Sequence, residues 1–429
     1  MLFLLSICTI FAGGSCSGSS LHAAACCPVN PSVAMKILLA NKFYYARGGD
    51  CVYTMQLERL LLARGHEVAV YAMQYPNNVP SRWESYWPSA MTSLQALTRP
   101  FGDAEVRRTF TALLDDFRPD VVHLQNVHTQ LSPLLAELAH RRGIRVCWTL
   151  HDPKPVCPSH VCTRGGELCT DCFSHPLSVV RHRCMQRGGI LGSFIGYLEA
   201  RRWSVERLER ATDCFISPSL FLRSLLLRGG CSPHKVTVLP NFVPDDRLFP
   251  VVSNRQPHYI YVGRLSREKG VETLCRAAAR LPHRLIVVGD GELLEPLRAE
   301  YGGMVDFRGR LDWAQFAPLL ASARFSVIPS EWAENNPLAA IESLVLGTPV
   351  LGADVGGIPE LVLPPGLPAN GMTFRSADVD KLVQAIRSMW ETIFDYQAVA
   401  DRARRQFAAH VHAERLEQLY LQVSASAMQ

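Results

Sequence analysis

The feature that most constrains this chain is an alternation that runs through it twice: short apolar runs bounded by turn residues, separated by longer amphipathic stretches. From Met35 the runs are MKILLAN, EVAVYAM, DVVHLQN, IRVCWTL, CFISP and KVTVLP, with helical patterns between them at about 50–64, 131–142, 191–211 and 219–229. Runs this rich in Val, Ile and Leu, without polar alternation, mark strands buried on both faces, and such strands are parallel and joined by crossover helices. After the segment VLPNFVPDDRLFPVVSNRQP the pattern restarts with HYIYVG, RLIVVG, VDFRG, FSVIPS and TPVLGA. The expected fold is α/β: two Rossmann-like, doubly wound domains facing a cleft. Their expected limits are 35–242 and 258–400, with a linker over 243–257 and C-terminal helices over 401–429 that cross back onto the first half.

With 429 residues, 48% of them hydrophobic and 19% charged, the chain can fill two cores and is not a disordered protein. A net charge of +5 is too mild over this length for a nucleic-acid binder, so no nucleic-acid partner is expected. No apolar run reaches the roughly 18 residues of a membrane-spanning helix. The opening MLFLLSICTIFAGG is apolar but lacks the basic start of a signal peptide, so residues 1–34 are expected to be a leader or a start assigned upstream of Met35.

Of 14 cysteines, five crowd into one stretch: Cys157, Cys162, Cys169, Cys172 and Cys184. They lie in an insertion over 153–190. One CxxC pair, Cys169 and Cys172, together with Cys157 and Cys184 makes a four-thiolate set of the kind that holds structural zinc. A disulfide-stapled loop and plain reduced thiols are the alternatives.

Ligands of parallel sheets sit at the carboxyl ends of strands, so chemistry is sought there. The first strand runs into FYYARGGD, where Gly48 and Gly49 let backbone N–H groups approach an anion at a helix start. In YVGRLSREKG, Arg264 follows a strand and Lys269 comes five residues later, two cations suited to a diphosphate. The segment IPSEWAENNPLAAIESLVLGTPVLGADVGGIPELV holds Glu334 and Glu342 on either side of Pro337. This puts Glu334 in a loop and Glu342 inside a helix that Asn335 or Asn336 could cap, so one carboxylate can grip sugar hydroxyls and the other ribose hydroxyls.

GRLSREKG, the Glu334–Glu342 pair and GGIPE resemble glycosyltransferase family 4, and MKILLANKFYYARGGDCVYTMQLERLLLARGHEV resembles the amino-terminal segment of its bacterial cell-surface and exopolysaccharide members. The resemblance implies a GT-B fold and a retaining, cytoplasmic transferase. Its donor is a nucleotide sugar, and its acceptor a glycan or lipid-linked sugar. By position it implies that Arg264 and Lys269 hold the donor diphosphate, Glu342 the ribose and Glu334 the transferred sugar, with His151 of TLHD lining the sugar pocket. Gly49, Gly263, Gly289, Gly291, Asn335, Asn336 and Glu360 would border the donor. At Asn335 and Asn336 many members carry an aromatic residue followed by Gly, so the sugar-edge contacts differ here. No catalytic metal is expected, and zinc would be structural. The Arg-rich stretch 181–210, which contains ILGSFIGYL, is an expected peripheral contact with the inner face of a membrane. Two other readings fit the same architecture: a nucleotide-sugar epimerase, and a non-catalytic scaffold that binds a nucleotide sugar or zinc.

Overall fold

Six parallel strands of the first half pair in the order β2-β1-β3-β4-β5-β6: β1 (Lys36–Ala40), β2 (Glu67–Tyr71), β3 (Val121–Leu124), β4 (Arg145–Thr149), β5 (Cys214–Ser217) and β6 (Val236–Val238). The computed structural model describes residues 34–425 except 93–94, 166, 186–187 and 365, so the expected leader, apart from residue 34, lies outside the described residues. A second sheet has the order β9-β8-β7-β10-β11-β12, built from β7 (His258–Val262), β8 (Arg284–Val288), β9 (Val305–Gly309), β10 (Ser326–Ile328), β11 (Val350–Ala353) and β12 (Gly371–Phe374). All its pairings are parallel too. These are the two doubly wound, Rossmann-like layers that the repeated alternation requires.

The central strands are apolar because helices cover both of their faces. Ile37, Leu38, Leu39 and Ala40 of β1 are fully buried, each large side chain contributing about 1.5–3 kcal/mol. The helices of the first half are α1 (Gly49–Ala63), α2 (Ala104–Phe117), α3 (Leu134–His140), α4 (Gly189–Arg202), α5 (Val205–Arg210) and α6 (Leu220–Arg228), of which α4 adds no residue to the core. Those of the second are α7 (Val271–Ala278), α8 (Leu294–Tyr301), α9 (Trp313–Ser322), α10 (Leu338–Val345) and α11 (Ile358–Val362).

Three details differ from expectation. The helix expected over 191–211 is two, because Trp203 turns inward to bond the Pro100 carbonyl (2.6 Å) and Ser204 starts α5 by capping the Arg207 N–H. Helix α2 was not anticipated, although Asp103 caps it by accepting from the Glu105 and Val106 N–H groups. Strand β12 was likewise not anticipated, being short and outside any Val/Ile run.

The chain ends in α12 (Val379–Glu391), α13 (Tyr396–Phe407) and α14 (Ala409–Ala425). Helix α14 returns to the first half. Its Leu416 and Tyr420 join Ile37, Leu39 and Leu57 in one core, and Glu417 takes a two-pronged bond from Arg64 (2.7 and 2.7 Å). None of the described helices is long and apolar enough to cross a membrane.

Candidate active site

Each sheet reverses its strand order at one point, and the loops that leave the strand ends there diverge to open a crevice. In the first sheet this point lies between β1 and β3, and in the second between β7 and β10. The residues singled out by motif gather around these two points.

On the second sheet, Gly263 follows β7, and the side chain of Arg264 stays 63% exposed with Glu268 at 3.1 Å. A short turn over Arg267–Lys269 then brings the Lys269 ammonium onto the carboxylate of Glu334, which also accepts from the Ser330 hydroxyl (3.2 Å). Gly289 explains how closely the loops pack. It has φ +145°, and a Cβ there would lie 1.8 Å from the Gly263 carbonyl oxygen. A Cβ at Gly291 would meet the Leu265 carbonyl oxygen at 2.3 Å.

Glu342 lies inside α10, where it accepts from Arg247 (2.7 Å), a linker residue stacked over Trp313 (4.7 Å). Burial pushes its carboxyl up to about 7, against the pull of Arg247. Contrary to expectation, neither Asn335 nor Asn336 caps this helix. Pro337 occupies the cap position, without a side-chain hydrogen bond. Across the cleft Gly49 opens α1, and a Cβ there would come 3.9 Å from Leu338, so the two helix starts are neighbours.

Asn335, Asn336 and Glu360, all expected on the donor side, bridge the two halves. Asn335 donates to the carbonyls of Leu150 and His151 (3.2 Å each), and Ser219 donates to it in turn. Asn336 accepts from the Asn241 N–H at 2.9 Å through its side chain and from the Asn241 amide at 2.8 Å through its carbonyl. Glu360 accepts from the N–H groups of Leu220 and Phe221 at 2.7 Å each, the first turn of α6. The glycine pair before Glu360 fixes this loop, since the Gly357 N–H donates to the Glu334 carbonyl (2.6 Å) and a Cβ at Gly357 would lie 1.9 Å from that of Asn335.

His151, at the end of β4, bonds the Gln125 side chain (2.9 Å) and meets the Tyr53 ring edge-on at 5.4 Å. Burial holds its pKa below the ordinary value, with Asp50 and Asp152 pulling the other way. His123 is structural, tied to Tyr420 (2.6 Å) and Thr149 (2.8 Å) inside the first core.

Motif reasoning missed the polar residues at the first switch point. The Asn126 side chain donates to Asp50 (3.0 Å) and the Asn126 N–H to Asn41 (3.1 Å). A signal was present, because MKILLAN and DVVHLQN are adjacent strands that both end in Asn, one residue apart in register. Beside them Gln125 Nε2 and His128 Nε2 are buried without partners among the described residues and line one small recess with Asp152.

In the cysteine-rich flap, Cys157 and Cys162 share a hydrogen bond that draws the Cys157 thiol down to about 5. Burial pushes Cys172 up to about 12, helped by Cys157, Cys184 and Cys169 nearby. Among the described residues, no three His, Cys, Asp or Glu side chains form a set ready to hold a metal ion.

Two family models match in tandem: Glycosyltransferase Family 4 over residues 47–247 and Glycosyl transferases group 1 over 256–392. A similar protein is the MMP alpha-(1->4)-mannosyltransferase of Mycolicibacterium hassiacum, 27% identical over 84% of this chain and 90% of that one. The sulfoquinovosyl transferase SQD2 of Arabidopsis thaliana is 28% identical, but the match spans 48% of this chain and only 43% of the relative. Among solved structures, sucrose-phosphate synthase from Thermosynechococcus elongatus has TM-score 0.64 at 20% identity, covering 91% of this chain and all of that one. Anabaena Alr3699/HepE in complex with UDP-glucose has TM-score 0.60 at 16% identity, with 91% and 100% covered. At such identities these two show the GT-B fold.

Proposed function

The chain belongs to the family 4 type of glycosyltransferase, and from that premise we propose a retaining hexosyltransferase of cell-surface polysaccharide synthesis. It moves a hexose from a UDP- or GDP-sugar to a glycan or lipid-linked acceptor. One observation supports this reading best: the Lys269–Glu334 pair stands at the second switch point, and the next residue, Asn335, bonds the backbone of His151 on the facing half. The UDP-glucose complex of the Anabaena neighbour supports the donor class.

A diphosphate arriving beside Arg264 and Lys269 competes with Glu334 for the ammonium. It thereby releases the Glu334 carboxylate to accept sugar hydroxyls. Glu342 takes the ribose in competition with Arg247, and the glycine backbone at 263, 289 and 291 leaves room for the nucleotide. The N–H groups at Gly49 and at the start of α10 add positive potential towards the phosphates. His151, neutral because it is buried, lines the sugar. The resemblance to family 4 implies front-face attack with retention. In that reading the acceptor hydroxyl attacks the anomeric carbon on the face from which the diphosphate leaves. The new C–O bond forms as the bond to diphosphate breaks, and the departing phosphate oxygen takes the hydroxyl proton. Arg264 and Lys269 stabilise that growing charge, so no catalytic metal is required.

The test is a screen of nucleotide sugars for turnover, followed by Lys269→Ala on the active donor. Losing one donor to a developing oxyanion lowers kcat by about 10²–10³-fold. Unchanged kcat in Lys269→Ala, or an isomerised free donor in place of a transferred sugar, overturns the reading. For the flap, the proposal is a structural zinc on Cys157, Cys169, Cys172 and Cys184. Metal analysis of the reduced protein tests it, and absence of stoichiometric zinc rules it out.

A further inference from the structure

Helix α4 turns apolar side chains towards water. Ile190, Leu191, Phe194 and Leu198 are 55, 66, 45 and 39% exposed. At about 100° per residue these four positions fall within one arc, and Arg201 enters the same arc at its C-terminal end. The opposite side of the helix, Ser193, Gly196 and Glu199, is buried, and Glu199 is neutralised there by Lys154 at 2.9 Å. The exposed face therefore carries no acid. Single exposed leucines are ordinary, but four neighbours on one helix face form a patch.

Where this stripe ends, cations begin. The guanidiniums of Arg202 and Arg207 lie over the Trp203 ring at 4.7 and 5.0 Å. Beyond them an open cavity of about 350 Å³ is lined by Arg141, Arg207, Arg210 and Glu137. Glu137 is the one carboxylate in that wall, and it is shared by Arg141 (3.2 Å) and Arg207 (2.6 Å). Among the described residues, Arg210 pairs with Glu206 at a distance of 3.9 Å. The cavity wall has more guanidinium than carboxylate, next to an acid-free apolar stripe.

We propose that the α4–α5 face docks on an anionic lipid bilayer. Ile190, Leu191, Phe194 and Leu198 enter the headgroup boundary, while Arg201, Arg202 and Arg210 lie among lipid phosphates. The segregation favours this occupant: apolar residues without acid on one helix face, with cations gathered at its end, match a charged interface over hydrocarbon. A protein partner would need apolar and opposite-charge surface interleaved to the same pattern. The inference deepens the transferase reading, since a lipid-linked acceptor is presented at such a surface, but its test is independent of turnover.

The experiment is flotation of the full chain with vesicles of phosphatidylcholine alone and of phosphatidylcholine mixed with phosphatidylglycerol. The expected result is binding to the anionic vesicles only, weakened by salt. Leu191→Ser with Phe194→Ser, and separately Arg201→Glu with Arg210→Glu, are each expected to lower the bound fraction by about tenfold or more. Both pairs alter exposed side chains, so unchanged circular dichroism and unchanged nucleotide binding accompany the loss. The proposal is overturned by any of three results: no vesicle binding, equal binding to neutral and anionic vesicles, or self-association through this face that the serine pair abolishes without vesicle binding. Failure of the donor screen alongside intact flotation would remove the transferase reading and leave the docking face standing.

Discussion

Glu342 is the residue whose environment departs furthest from what its motif implies. A carboxylate that is to hold a ribose is shut in beside Arg247, and burial lifts its pKa to about 7. The sign follows directly. Below that value the carboxyl is mostly neutral and a weak acceptor. Above it, the ionised form accepts hydroxyl bonds about twice as strong. Donor KM is therefore expected to fall as pH rises from 6 to 8, and Glu342→Gln should flatten that dependence while raising KM by about tenfold, one charged hydrogen bond's worth. Steady-state kinetics at several pH values checks this, and an unchanged pH profile in Glu342→Gln would remove the ribose role. Stability has the opposite sign. The folded carboxyl keeps its proton above the unfolded value, so its contribution is full at low pH and is lost as pH rises through about 7.

Glu360 acts at the scale of elements, because its partner is the start of a helix in the other half. Both carboxylate oxygens accept N–H groups of α6, while Ser219 caps the same helix through the Leu222 N–H. Glu360→Gln keeps the shape but loses the charge facing the helix N-terminus, about 0.3–1 kcal/mol on that ground and more where the bonds are charge-assisted. The expected outcome is a several-fold loss in kcat/KM for transfer, with nucleotide affinity nearly unchanged, since both carboxylate oxygens are taken up by the N–H groups that join the halves. Equal losses in affinity and kcat would instead assign Glu360 to the donor pocket. The same contact marks what could be read in advance. The runs MKILLAN and HYIYVG became central strands because buried parallel strands have few alternatives, and the Glu334–Glu342 motif lies where its strand-to-helix position requires. The bonds of Glu360 to residues 140 positions away, and of Asn335 to residues 185 away, leave no spacing pattern to recognise. Helix α2 was missed for a different reason. Its signals, the Asp103 cap and the face of Val106, Phe110, Leu113 and Phe117, are local and were available in the sequence.

At the scale of the whole molecule, α14 closes the chain back onto its first half through buried histidines. His412 bonds the Tyr53 hydroxyl (3.0 Å) and the Pro240 carbonyl (2.9 Å), and His123 bonds Tyr420 of the same helix. Burial lowers both to about 3, as it does His128, stacked on Trp148 at 5.0 Å. Each therefore stays neutral in the folded protein under conditions where the unfolded chain, with an ordinary histidine value near 6.5, takes up a proton. Their native-state stability is thus full above about pH 6.5 and is lost progressively as pH falls towards 3. At pH 5 each histidine costs about 2 kcal/mol. Glu417 adds to this at lower pH. Burial raises its pKa, but hydrogen bonds from Arg64 and His66 outweigh that and hold it below the carboxylate range, so its contribution too fades in acid. Urea unfolding at pH 7 and pH 5 should therefore show a drop of several kcal/mol, about three protons' worth of slope from the histidines less about one that Glu342 contributes in the opposite sense. His412→Gln, which keeps polar atoms for Tyr53 and Pro240, should remove about one proton from that slope. Because His412 lies where α14 meets both α1 and the residues that lead into the linker, an unchanged slope in this variant would mean that acid loosens the molecule elsewhere than at its C-terminal clasp.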